Sequence, residues 1–291
     1  MLKVRKLNDH EEMESFLSEL PFTPIFFFSA YTANTWLNHN GKELFAVENG
    51  SEKALVLYRK KLQDIRFLFK EPSKEMMSEV SSHFENVYIA YNDVIEEGIE
   101  ATLENSEVLI GLQHIVELKD SKVKRDYQTF KRKNPELEVK QYSPEMLPLA
   151  IQFLDEWTHT RIEFLNSVEK TVNDRHFLEL YNTGPNIKGV AVFDKEKIVG
   201  LAFFVPSMNG KTIGVINKCL RGYTQLGVFT FVERAKFAWE EGFKEMYIGP
   251  INNDFKKRFI HSATLVPTKE KQMYAKEGVG VSPKQLSFFF G

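Results

Sequence analysis

The sequence predicts an α+β fold of two successive units, each a mixed, mostly antiparallel sheet flanked by helices. Three observations predict it. The segment from Lys197 to Asp254 reads strand, strand, glycine loop, helix, strand. The first half of the chain runs through a similar order of elements in degenerate form. At 291 residues, 43% of them apolar, the chain is long enough for two ordinary domains with buried cores.

In the second half, Ile198 to Val205 is dense in β-branched and aromatic residues. Ser207-Met208-Asn209-Gly210 then turns the chain into Thr212 to Leu220, which predicts a hairpin. Arg221-Gly222-Tyr223-Thr224-Gln225-Leu226-Gly227 leads into a helix whose apolar residues Val228, Phe231, Val232, Ala235, Ala238 and Trp239 recur at helical spacing. Glu233, Arg234, Lys236, Glu240 and Glu241 form its expected polar face, and Gly242 stands where a left-handed helix end needs a residue without Cβ. Glu245 to Ile248 is a short buried strand, closed by Gly249-Pro250 and the polar Asn252-Asn253-Asp254. Upstream, Val139 to Tyr142 is a strand, and Ser143-Pro144 caps a helix with the stripe Leu147, Ala150, Ile151 and Leu154. Another helix is expected around Phe177 to Tyr181, before a strand over Gly189 to Phe193.

The first half opens with a strand to Leu7 and a helix begun by Asn8-Asp9 and stopped by Pro21. Leu44 to Val47, Ala54 to Tyr58 and Ile65 to Phe69 read as three strands of a meander. Ser73 caps a helix bearing Met77, Val80 and Phe84, and Val87 to Ala90 is a strand. Asn92-Asp93 is expected to begin a helix with Ile95, Ile99 and Leu103, and Val108 to Leu118 to close the half as a strand. The expected division is 1–134 and 135–291.

Net charge of −2 and a pI near 6.4 argue against a generally basic nucleic-acid binder, though they allow a local patch. One such patch exists. Lys119 to Lys133 holds seven basic and two acidic residues, a local charge of +5. Tyr127 and Phe130 interleave with Lys124, Arg125, Lys131 and Arg132, as they would to stack a nucleotide while its phosphates are neutralised; a solvated amphipathic connector fits the same residues. Lys256-Lys257-Arg258 is a second cluster, open to the same two readings. The lone Cys219 has no disulfide partner and reads as a packed thiol. The seven histidines show no metal-ligand spacing, so no metal site is expected. Without a signal peptide or an apolar run of membrane-spanning length, the expected location is the cytoplasm, with no integral membrane association.

A glycine loop that opens a helix aims N–H groups and the positive helix end at one point and can hold phosphate; two glycines also suit a plain strand-to-helix turn. In the first reading Arg221, Gly222, Leu226, Gly227 and Val228 line the donor site. The order hairpin, Arg-Gly-x-x-x-x-Gly loop, helix and short strand resembles the acyl-donor half of a GNAT (GCN5-related acyltransferase) domain. The loop of that family usually reads Gln/Arg-x-x-Gly-x-Gly/Ala and binds the pyrophosphate of coenzyme A, whereas Arg221, Gly222 and Gly227 stand at altered spacing.

Two such units, with Lys131-Arg132-Lys133-Asn134-Pro135 between them and Leu154-Asp155-Glu156-Trp157 ending the next stripe, resemble a narrower family. This is the tandem-GNAT domain at the C-terminal end of bacterial phosphatidylglycerol lysyltransferases and, more distantly, the FemAB aminoacyltransferases. The resemblance covers nearly the whole chain through loose motifs. It implies transfer of an aminoacyl group from aminoacyl-tRNA to the amine or hydroxyl of a small-molecule or peptide acceptor, with tRNA as partner and no tightly bound cofactor. An N-acyltransferase using acyl-CoA and a non-catalytic RNA- or anion-binding module are the alternatives.

The resemblance to GNAT folds implies that the strand with Val215, Ile216 and Asn217 splays from the Met246 to Ile248 strand, leaving edge amides for the donor arm. Asn217, Tyr223, Asn252, Asn253 and Asp254 are the polar groups expected at that opening, with helix capping the alternative role of Asp254. Arg125, Lys131, Arg132, Lys256, Lys257 and Arg258 would face the donor's phosphates; the resemblance places Trp157 and Arg161 on the helix where the family's acceptor pockets open, and a helix packed by Trp157 explains that tryptophan equally well.

Overall fold

A computed structural model describes residues 2–8, 12, 15–16, 19–20, 42–59, 64–69, 73–83, 88–94, 106–160, 174–175, 178–179, 188–206, 211–250, 254–259 and 263–274. These residues fall into two compact units. Up to Val94, and again over 268–274, they belong to the first unit; residues 106–267 belong to the second.

In the first unit, β1 (Leu2–Leu7), β2 (Lys42–Asn49), β3 (Glu52–Arg59) and β4 (Asp64–Phe69) pair antiparallel in succession. Helix α1 (Lys74–His83) carries the chain over, so that β5 (Tyr88–Val94) lies parallel to β4. Ser73 caps α1 as expected: its Oγ accepts the Met76 amide at 3.0 Å and donates to Glu52 at 2.5 Å. Met76 and Val80 bury against Val47, Val56, Ile65 and Phe67, because alternate residues of paired strands share a face. Residues 268–274 pair antiparallel with β5. Asn92 and Asp93 lie within β5 and do not open a helix; residues 95–105, expected to continue that helix, lie outside the described residues.

The second unit repeats the scheme. Its elements are β6 (Ser106–Gly111), α2 (Leu112–Val116), α3 (Ser121–Lys133), β7 (Glu138–Gln141), α4 (Leu147–His159), β8 (Lys188–Asp194), β9 (Lys197–Pro206) and β10 (Thr212–Cys219), followed by α5 (Leu226–Glu240), β11 (Glu245–Pro250), α6 (Asp254–Lys257) and, up to Pro267, the first part of β12 (Ala263–Tyr274). β7 to β10 are successive antiparallel neighbours, and α5 crosses over so that β11 runs parallel to β10. β6 pairs antiparallel with β11, and Ala263–Pro267 with β6. The strand expected over Val108 to Leu118 ends at Gly111, where α2 begins, and α3 lies in this unit. Ser143 precedes a 3-10 turn, Pro144–Met146, without a side-chain cap bond.

α5 is buried over more of its surface than one amphipathic stripe provides, because it packs on β8, β9 and β10 and also on α2 and α3. α3 presents Val123, Asp126, Tyr127 and Phe130 to it at i, i+3, i+4 and i+7. Asp120 caps α3, accepting the Lys122 and Val123 amides at 2.9 Å. α5 ends as expected: Gly242 has φ 94, its N–H reaches Trp239 O at 2.9 Å, and the Phe243 N–H reaches Ala238 O at 3.1 Å. No helix among the described residues is long and apolar enough to cross a membrane.

Candidate active site

The feature that sets β10 apart is where its pairing with β11 stops. Thr212 pairs with Met246 and Ile213 with Tyr247, and no further β10–β11 pairs follow among the described residues. Pairing of β10 with β9 continues to Cys219 opposite Gly200, interrupted by a bulge at Val215, since Gly214 faces Phe204 and Ile216 faces Phe203. A bulge bends its strand and increases the local twist. β10 therefore leaves β11 while staying fastened to β9, and among the described residues one edge of Gly214–Cys219 has no strand beside it. Asn217 stands on this stretch, its Oδ1 buried without a hydrogen-bond partner.

Behind the bulge lies Arg234 of α5. It was expected on the polar face of the helix, yet it is 3% exposed. One terminal nitrogen donates to Phe203 O at 3.2 Å and to Ile216 O at 2.9 Å. Burial lowers its pKa to about 9, which leaves it charged at neutral pH. Cys219 is a packed thiol, with Sγ 3.5 Å from the Thr230 hydroxyl.

Beyond β10, Arg221 and Gly222 are exposed, and the φ of 100 at Gly222 is the left-handed turn that glycine permits. The Tyr223 hydroxyl donates to Asp194 at 2.5 Å. That bond, then burial and the Asp194 charge, push its pKa up to about 12. The Leu226 amide turns back to Tyr223 O at 3.2 Å and the Val228 amide to Gln225 O at 3.0 Å. A Cβ on Gly227 would lie 3.6 Å from the Phe255 ring of α6. Two of the amides at the opening of α5 are thus engaged within the loop itself.

Gln225, the residue before α5, is left-handed at φ 73 and makes no cap bond of its own. Its carboxamide instead donates to Asp126 Oδ1 at 3.0 Å. Asp126 is 6% exposed and also accepts from Arg258 at 3.1 Å, with Arg125 Nε at 3.7 Å. One buried carboxylate thereby joins α3, the loop and the segment after α6. The geometry brings the predicted residues Arg125 and Arg258 to this carboxylate.

Lys124, Arg125, Gln128, Lys131 and Arg132 fall on one exposed stripe of α3 at helical spacing. Tyr127 and Phe130, expected to stack on a nucleotide, are instead buried against Phe229, with centroids at 5.3 and 4.8 Å. The Tyr127 hydroxyl donates to Glu233 at 2.5 Å and accepts from Lys236 at 2.6 Å. Lys256 is half-buried and Lys257 exposed. Asp254 opens α6. Arg161, Asn252 and Asn253 lie outside the described residues, as does the side chain of Asp254.

Lys218 alternates to the face opposite Cys219. There its Nζ lies 3.7 Å above the Trp157 ring of α4 and pairs with Asp174, both side chains of the pair being nearly buried. Trp157 is therefore the wall of a cation site already filled by the chain. Sequence reading missed Asp126, Arg234 and Lys218. Asp126 left a signal, as an acid at an apolar-phase position in a basic helix. Lys218 left another, as a charge inside an apolar strand.

No protein-family model matches the sequence, and no curated protein matches it. Solved structures do. L-PGS from Bacillus licheniformis superposes with a TM-score of 0.61 at 14% identity, covering 97% of this chain and 96% of its own. FemX gives 0.62 at 11%, covering 91% and 95%. A tandem GNAT protein from the clavulanic acid biosynthesis pathway gives 0.50 at 8%, covering 93% and 98%. The class defined by these neighbours and by the two matching units is the tandem GNAT fold. Within it, the chain shares its architecture with L-PGS and FemX.

Proposed function

We propose that the second unit is an acyltransferase centre that moves an aminoacyl group from aminoacyl-tRNA to an amine or hydroxyl acceptor. The observation that carries this reading is the departure of β10 from β11 after Ile213, which frees an edge of the strand at its bulge. In the reaction the acceptor's lone pair attacks the acyl carbonyl carbon and the carbonyl oxygen becomes an oxyanion. The ester C–O bond then breaks, and the acceptor's proton ends on the departing ribose oxygen. A fixed edge amide can stabilise that oxyanion at no reorganisation cost.

The surroundings favour a large polyanionic donor over acyl-CoA. The loop turns the Leu226 and Val228 amides back onto its own carbonyls, which takes two helix-opening donors away from a pyrophosphate. The exposed cations of α3, tied to the loop through Asp126 and Gln225, suit a nucleic-acid backbone. Incubation with charged tRNA or with acyl-CoA plus candidate amines, read by mass spectrometry, tests the proposal. Transfer from the aminoacyl ester is the expected result. Transfer from acyl-CoA alone would replace the donor, and RNA binding without transfer from either would favour the second reading, a binding module using the same α3 stripe.

A further inference from the structure

Arg234 is the one buried cation among the described residues, and no carboxylate pairs with it there. Its bonds run to main-chain carbonyls only, Phe203 O on β9 and Ile216 O on β10, and its Nε is buried without a partner. The guanidinium occupies the place of a missing side chain: a Cβ on Gly214 would stand 2.8 Å from both terminal nitrogens and 2.9 Å from Cζ. Phe203 and Ile216 are the pair at which register resumes after the Val215 bulge. A buried charge without an acid is a poor device for stability, since apolar replacements of buried ionic groups are often neutral or stabilising. Its position suits another task.

We propose that Arg234 is the positioning residue of the donor strand: lodged against Gly214 and bonded to the Phe203 and Ile216 carbonyls, it holds the bulge and fixes the Ile216–Asn217 peptide at the edge that β11 leaves. The Ile216 carbonyl and the Asn217 N–H belong to one peptide unit. A charge-assisted bond to the carbonyl polarises the unit and strengthens its N–H as a donor. Asn217, with its unpartnered Oδ1, is carried by the same unit. The guanidinium acts through the backbone and touches no reacting atom. The catalytic consequence rests on the acyl-transfer reading; the clasp itself does not.

The test is Arg234→Met in the full chain, followed by native-state hydrogen exchange over residues 212–220 and, as a control, over 121–133. The melting temperature should be unchanged or raised, with exchange about tenfold faster over 212–220 and unchanged over the control. In a transfer assay kcat should fall by about 100-fold with acceptor KM unmoved, the mark of a displaced group rather than of weakened acceptor binding. Arg234→Lys keeps the charge but reaches fewer carbonyls, so it should recover part of the protection and of kcat. Unchanged exchange over 212–220, or acceleration spread equally over both segments, overturns the assignment. If the parent transfers nothing, the acyl-transfer reading fails while the exchange contrast still decides the clasp. If Arg234→Met does not fold, the local acceleration must appear in Arg234→Lys, and its absence overturns the assignment.

Discussion

Replacing Asp126 by alanine removes the carboxylate that fastens the loop before α5 to α3 and to the segment after α6. The Gln225 bond has the ordinary length of 3.0 Å and its carboxylate acceptor is 6% exposed, so it falls among hydrogen bonds to charged groups, worth about 1.5–3 kcal/mol. The Arg258 bond at 3.1 Å is worth less than a fully buried pair, because the Arg258 side chain is 34% exposed and solvent screens it, leaving about 1 kcal/mol. Together the loss is about 2.5–4 kcal/mol. For a unit of this size that lowers Tm by about 5–15 °C. Asp126→Asn keeps the shape and an acceptor for Gln225 and should lose about 1 kcal/mol. Urea unfolding of Asp126→Ala, Gln225→Ala, Arg258→Ala and the two doubles containing Asp126→Ala measures the couplings directly, each expected at about 1 kcal/mol. A single-mutant loss below about 0.5 kcal/mol with no coupling in either cycle would refute the view that this carboxylate positions the loop.

Three other outcomes are expected. The phenol of Tyr223 is raised from its ordinary value near 10 to about 12, so it stabilises the fold below pH 10 and loses that contribution as pH rises toward 12. In ultraviolet titrations Tyr223→Phe should lack one of the parent's late-ionising tyrosines, Tyr142 being another that burial pushes up to about 12, and Asp194→Asn should return the Tyr223 phenol toward 10. Phe229→Ala removes the ring between Tyr127 and Phe130, at a cost of about 3–5 kcal/mol, and should raise hydrogen exchange across 121–133 before the rest of the unit. Lys131→Ala with Arg132→Ala leaves stability within about 0.5 kcal/mol, because both are exposed. If the α3 stripe meets a phosphate backbone, the same pair flattens the salt dependence of RNA binding by about one unit of log slope for each phosphate no longer neutralised; an unchanged slope would mean that the stripe is solvated surface.

What the sequence made legible is what periodicity and turn chemistry encode. The β9–β10 hairpin, the α5 helix with its Gly242 end and the crossover to β11 follow from residue type and spacing, whereas the separation of β10 from β11 was legible only through the resemblance to the GNAT fold. Apolar period alone does not say how many faces of a helix are covered. α3 therefore looked like a basic helix with two aromatic residues available for stacking, when Tyr127 and Phe130 are the side it spends on α5. The same ambiguity hid Arg234. At a polar position of an amphipathic helix a charged residue reads as solvated, and only the register of β9 and β10 shows that Gly214 leaves room for it beneath the sheet. The polar groups with most bearing on the site, Asp126, Arg234 and Lys218, are those whose partners lie far away in sequence: Arg258 for the first, the Phe203 and Ile216 carbonyls for the second, Trp157 and Asp174 for the third. A local reading assigns such residues to solvent by default. A charged residue inside an otherwise apolar strand or helix phase is thus better read as a request for a distant partner, because leaving it buried and unpaired costs more than the fold can bear.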